Sequence, residues 1–113
     1  MRSKAAAAAL VVLLAVTGPA CGRKGPRYDD ARAVVDRHCV GCHSERPTVA
    51  AFPIAAGGLA LDTAKLMQQH ATRIKARVVE LRTMPLLNKS DMRDDERALL
   101  GAWVDSGASG PRL

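Results

Sequence analysis

His38-Cys39-Val40-Gly41-Cys42-His43 decides how this chain is read, because it sets two thiols three residues apart with an imidazole directly behind the second. The Cys-x-x-Cys-His pattern is the attachment signature of c-type haem. Two cysteines on one turn can each reach a vinyl group of the same porphyrin, and His43 then brings a ring nitrogen to the iron. Other readings of the pair explain less. A thioredoxin-like dithiol belongs to a fold of alternating strands and helices, and no stretch here reads as a strand. Half of a zinc site lacks its second cysteine pair. A disulfide between Cys39 and Cys42 is geometrically poor and leaves His43 without a role. His38 reads as a surface or haem-edge histidine.

Upstream, the chain opens Met1-Arg2-Ser3-Lys4 and then runs uncharged from Ala5 to Val16 through Ala-, Leu- and Val-rich sequence. This is a signal-peptide plan over residues 1–20. Its apolar run of about a dozen residues is too short for a membrane helix, which needs roughly twenty. Export to the periplasm is the expectation. Thr17-Gly18-Pro19-Ala20-Cys21 resembles a bacterial lipobox, with Gly18 where a Leu is usual, and makes Cys21 the expected site of lipid attachment, the alternative being ordinary signal cleavage that leaves a spare thiol at Cys21. Cysteine arithmetic supports the lipid: the chain has three cysteines, and acylating Cys21 while haem takes Cys39 and Cys42 leaves no spare thiol. Residues 21–28 read as a tether, basic and rich in turn formers, able to lie near anionic headgroups.

The remaining stretch, about 90 residues, makes one small domain. It holds one each of Phe, Tyr and Trp, so few large side chains are available to pack. Domains of this size often close their core with a metal, disulfide or cofactor, and a covalent macrocycle would serve. Net charge is +6 for 113 residues. Setting aside Arg2 and Lys4 leaves 15 basic against 11 acidic residues. No Lys/Arg run is interleaved with aromatics, which excludes an ordinary nucleic-acid surface.

A second axial ligand should lie well downstream, because the chain must pass around the haem to reach its other face. Met67, His70, Met84 and Met92 are the candidates. From Asp62 to Leu81, Met67, His70, Ala71, Ile74, Val78 and Leu81 recur at three- and four-residue steps. Lys65, Gln68, Gln69, Arg73, Lys75, Arg77 and Glu80 occupy the other face. This predicts an amphipathic helix, or two in succession, with Asp62 as N-cap. Met67 and His70 then read as packing residues on its apolar stripe. Met84 differs: it comes after the helix and precedes Pro85, which stiffens the backbone and bars helix continuation. Met84 is therefore the expected second ligand, with His70 or an open position as fallbacks. Met92, near the start of the next helix, reads as packing.

Asp29 to His38 predicts a first helix leading into the attachment turn. Asp94 to Ser106 predicts a last helix that stops at Gly107. The two are expected to cross, with Ala31 or Gly101 permitting close approach and Trp103 covering the haem or sealing the crossing. Pro47, Pro53, Gly57 and Gly58 mark residues 44–61 as an irregular loop around the haem edge. The expectation is an all-α domain over residues 29–113, with three to four helices and long loops wrapped around one covalent haem.

The order of first helix, Cys-x-x-Cys-His, Met84-Pro85 and final helix with Trp103 resembles the small class I cytochrome c fold. More narrowly, the chain is similar to the C-terminal cytochrome c domain of the membrane-bound urate hydroxylase family. Cys42-His43-Ser44, Arg46-Pro47-Thr48, Thr83-Met84-Pro85-Leu86, Asn88, Glu96-Arg97 and Trp103 carry that likeness. Arg93 stands where that family often has a helix-capping Thr. The resemblance implies an electron-accepting haem domain, here as an exported lipoprotein, and covers no urate chemistry.

The function expected is single-electron transfer between periplasmic or membrane redox proteins through iron held by His43 and Met84, with no turnover of its own. A soft methionine ligand favours ferrous iron, and basic residues near the haem edge would steer acidic partners. The rival is a haem enzyme or gas sensor whose sixth position is open or labile. Cytochrome c′-type bundles suit that role, but they carry the attachment motif near their C-terminus. A haem-free thiol oxidoreductase is the third reading.

Overall fold

Two helices begin with the same device. In α1 (Tyr28–His38) and α4 (Asp94–Asp105) the N-cap residue is an arginine, whose side chain offers no acceptor. The acid three residues on reaches back instead: the Arg27 amide donates to Asp30 Oδ2 at 3.1 Å, and the Arg93 amide to Glu96 Oε2 at 2.9 Å. The carboxylate thus supplies the capping that a Thr at position 93 would share, and it lies where the first turn's free N–H groups favour negative charge. α4 ends at Ser106, and Gly107 comes next at φ +106°, a left-handed position natural to glycine.

The structure, a computed structural model, describes residues 8–12 and 25–113. Most of the 1–20 leader lies outside those residues, as does Cys21 with its expected lipid. Among the described residues there are helices and turns and no strands, so the domain is all-α. No helix among them is long and apolar enough to cross a membrane.

Between α1 and α4 lie α2 (Ala64–Gln69) and α3 (Ala71–Ile74), and α3 runs on into a widened, π-helical turn at Lys75–Glu80. The amphipathic stretch is therefore two helices in succession, separated at His70 (φ −102°, ψ 9°). Asp62 is not the N-cap. Thr63 is, its Oγ1 accepting from the Leu66 amide at 3.2 Å. The Asp62 carboxylate is diverted to the chain after the attachment turn, accepting from the Glu45 amide at 2.9 Å.

α4 packs against both α1 and the widened turn. Trp103, Leu100, Met67 and Val35 are fully buried in the shared core, beside Ala31 and Ile74. The Trp103 indole N–H donates to the Ser109 carbonyl at 3.0 Å, which satisfies its one polar group. Gly101 serves the widened turn: a Cβ placed there would meet both Val79 methyls at 3.4 Å. Met67 and Met92 pack as expected, at 0 and 4% exposure.

His38 is not a surface group. Its side chain is 1% exposed, with Nε2 3.0 Å from Glu96 Oε2 and Nδ1 2.8 Å from Ser90 Oγ. The cause is the capping geometry: Glu96, turned back to close the start of α4, meets the end of α1. Arg37 adds a contact from Nη1 to Glu96 Oε1 at 3.0 Å.

Substitutions at Gly101 and Glu96 test this packing. Gly101→Ala is tolerated, because the added methyl meets Val79 at ordinary contact distance, whereas Gly101→Leu overpacks the crossing and costs about 1–3 kcal/mol in urea unfolding. The Glu96 carboxyl is held below the usual range by the Arg93 amide, against desolvation, with the His38 ring assisting. A carboxyl with a depressed folded pKa stabilises fully above its ordinary value of 4.5 and loses that contribution as pH falls through the folded value. Glu96→Gln should cost about 1–3 kcal/mol at neutral pH and flatten the acid limb of stability below the ordinary carboxyl value of 4.5. An unchanged acid limb would assign it to other carboxyls.

Candidate cofactor site

The turn at residues 39–43, where the sequence places the attachment motif, is built by backbone hydrogen bonds around Cys39. Its carbonyl accepts from the Cys42 amide at 3.2 Å and the His43 amide at 2.8 Å. The irregular loop is stitched to this turn: the Gly41 carbonyl accepts from Thr48 and Val49, Cys42 from Ala56, and His43 from Leu61. Gly41 lets that loop come close, since a Cβ there would meet Val49 Cγ2 at 3.3 Å. The loop thereby becomes one wall of a cavity and the α3 segment another.

That cavity is lined by Cys39, His43, Ala56, Gly57, Leu59, Leu61, Arg73, Ile74, Arg77, Val78 and Met84, and its volume is about 240 Å³. Residues 41 positions apart in sequence, His43 and Met84, share its lining with Cys39. Cys42 belongs to the same turn but does not line the cavity, nor do His70, Trp103, Met67 and Met92. Trp103 is therefore ordinary core here, and covers no part of the cavity wall.

The polar groups in this apolar wall are few and specific. His43 Nδ1 lies 3.0 Å from the Leu59 carbonyl. A carbonyl can only accept, so Nδ1 carries a proton, and in the neutral ring that tautomer puts the lone pair on Nε2. This is how a metal-binding histidine is commonly oriented, its other nitrogen anchored to backbone or carboxylate. Met84 is anchored through its backbone: its amide donates to the Arg77 carbonyl at 3.2 Å, beside the Thr83 amide at 2.8 Å. The Met84–Pro85 peptide bond is cis. Asn88 folds the loop back, its side chain pairing both ways with the Met92 backbone at 2.9 and 3.2 Å. Arg73 and Arg77, one turn apart and exposed, place two guanidinium groups on the lining. Periodicity assigned both to a solvated face, and only the cavity reveals them. An apolar cleft edged by two cations suits a ligand with an apolar body and anionic substituents.

The cysteines are free of disulfides, and burial pushes the Cys39 thiol up to about 12, with Arg32 opposing the shift. Reactive thiols have depressed values, and burial moves Cys39 in the opposite direction. No group of three His, Cys, Asp or Glu side chains able to hold a metal ion occurs among the described residues. A zinc-type cluster is thus absent there, and a ligand held by one histidine and one thioether has to bring the rest of its metal's coordination with it. The residues present fit a porphyrin: thiols at its attachment turn, an oriented imidazole, a thioether and an apolar lining. No family model, curated protein or solved structure matches this chain, so the site is read from its own residues.

Proposed function

We propose that this protein is a mono-haem c-type cytochrome that carries single electrons between periplasmic or membrane redox proteins. The observation that carries the reading is the placing of His43 and Met84 on one apolar cavity beside Cys39, with the imidazole Nδ1 bound to Leu59 and Nε2 left free. When bound, haem supplies an iron that takes up and gives up one electron. Cys39 and Cys42 would hold it covalently, and His43 and Met84 would be its axial ligands, in the arrangement of a class I cytochrome c fold. The Leu59 carbonyl keeps the His43 tautomer fixed and raises the basicity of the ring. Leu59, Leu61, Ile74 and Val78 exclude water, which makes the charge of the oxidised state more costly and raises the potential in the same direction as the soft thioether.

The rival reading, an enzyme or gas sensor with an open sixth position, needs Met84 absent or mobile. Met84 instead lines the cavity and is tied by its amide. The thiol oxidoreductase reading needs an accessible thiolate, and burial keeps the Cys39 thiol protonated. Export and lipid attachment at Cys21 complete the proposal on the strength of the leader sequence alone.

The test is a reduced-minus-oxidised absorption spectrum of protein made with a cytochrome c maturation system. A c-type α band that survives denaturation is expected, with the weak far-red ferric band of Met-ligated haem, and Met84→Ala should lose that band and bind carbon monoxide when reduced. An α band without the far-red feature would move the second ligand to another residue or to none, and no covalent haem would end the proposal. Arg73 and Arg77 at the cavity edge add a kinetic expectation: electron exchange with an acidic redox protein slows as ionic strength rises. Arg73→Glu with Arg77→Glu should reduce both the rate and its salt dependence.

A further inference from the structure

Arg97 is a buried cation without a counter-charge. It is 7% exposed, and among the described residues all its hydrogen bonds go to uncharged oxygens. Nη1 donates to the Val78 carbonyl at 2.7 Å and to the Met84 carbonyl at 2.8 Å, and Nη2 donates to Asn88 Oδ1 at 3.4 Å. Nε is buried with no partner at all. Burying a charge this way is costly unless geometry offsets it, and an apolar residue of similar shape would avoid that cost but leave the Val78 and Met84 carbonyls without this donor. The reason for an arginine here therefore lies in the carbonyls it holds.

What the guanidinium does hold is Met84. The Met84 amide is bound to the Arg77 carbonyl and the Met84 carbonyl to Arg97, so both peptide groups flanking its Cα are pinned. Fixing both groups fixes the direction in which the side chain leaves the backbone. The same fork takes Val78, another residue of the cavity wall, and Asn88, the residue that folds the loop back. Arg97 thus joins helix wall, methionine loop and α4.

We propose that Arg97 is the positioning residue for Met84, holding the thioether toward the cavity and placing a permanent positive charge beside it. This rests on the His43/Met84 reading of the site. Two consequences are separable. The fork opposes departure of Met84, so an outside ligand competes poorly for the sixth position. The buried charge, acting at low dielectric, disfavours the more positive oxidised state and raises the potential.

The experiment uses the haem-loaded protein and two variants. Arg97→Lys keeps the charge but loses the planar guanidinium that reaches the Val78 and Met84 carbonyls from Nη1 and Asn88 from Nη2 at once; Arg97→Met removes both functions. Imidazole titration of the ferric form, read by loss of the far-red methionine band, should show about tenfold tighter imidazole binding in each variant, the loss expected for one charge-assisted hydrogen bond. Potentiometry should show a lower potential in both, with Arg97→Lys falling less. Gly101→Leu, which strains the packing of α4 on the widened turn without changing charge or removing a hydrogen bond to Met84, is the comparison for a merely structural effect. If Arg97→Met does not fold, Arg97→Lys alone decides the imidazole arm. Imidazole affinity within twofold of the unsubstituted protein, in variants destabilised like Gly101→Leu, would overturn the positioning role. A missing far-red band before any substitution would instead overturn the axial reading, and this inference with it.

Discussion

Consecutive residues at the start of α4 hold the two halves of the cavity in register. Glu96 takes His38 and Arg37 at the end of α1, one residue before Cys39. Arg97 takes the carbonyls of Val78 and Met84. Neighbouring side chains on an α-helix diverge by about 100°, so the pair reaches to different sides of the same turn. The attachment turn and the methionine loop are 41 residues apart in sequence between His43 and Met84, yet both are referenced to a single turn of one helix. Glu96 is itself fixed by capping that helix. A carboxylate that satisfies a helix end thus becomes the origin from which the site is measured.

The small size of the core explains why this clasp matters. Beside Trp103, the fully buried large side chains are Met67, Leu100 and Val35, and a chain of this length buries too little for apolar contacts alone to define a unique arrangement. Polar contacts across the core carry the specificity: Arg32 reaches the Leu61 carbonyl at 2.7 Å and approaches Met67 Sδ at 3.4 Å, and Gln68 reaches the Ala108 carbonyl at 3.0 Å. Each joins segments that no local propensity would bring together. The cavity lies among them, its lining drawn from the irregular loop as much as from helices. A ligand filling it would supply the apolar bulk that the side chains lack.

Much of this was legible in sequence because the signals were local. Cys39, His43 and Met84 stand out by spacing or by a neighbouring proline, and all three line the cavity. Periodicity placed the first and last helices to within a residue. It could not supply contact between distant segments. His38 and Glu96 are 58 positions apart, so of the two readings of His38, surface or haem edge, the first gives way to a buried side chain. Leu81 failed for a different reason. It continues the apolar stripe on an ideal helix, but the widened turn at Lys75–Glu80 inserts an extra residue into the hydrogen-bond ring and rotates the chain beyond it. Val78 stays buried at 4% exposure while Leu81 is 62% exposed.

That widened turn also bears on whether the site exchanges electrons or ligands. Its wider hydrogen-bond ring runs from the Leu81 amide to the Ala76 carbonyl, and the Arg77 carbonyl is left to accept from Thr83 and Met84. The loop carrying Met84 is therefore bonded to the same helix that contributes Ile74 and Val78 to the cavity wall. Pro85 has no amide to place, so the chain leaves this anchor without losing a hydrogen bond. Loop and wall are one mechanical unit, closed on the far side by Arg97. On the proposed haem reading, a sensor needs a sixth position that opens at low cost, and moving Met84 away would break its amide anchor, the guanidinium contact and the Asn88 pairing together. An electron carrier needs the reverse, the same ligand geometry in both oxidation states, and a methionine held at both of its peptide groups is suited to that role.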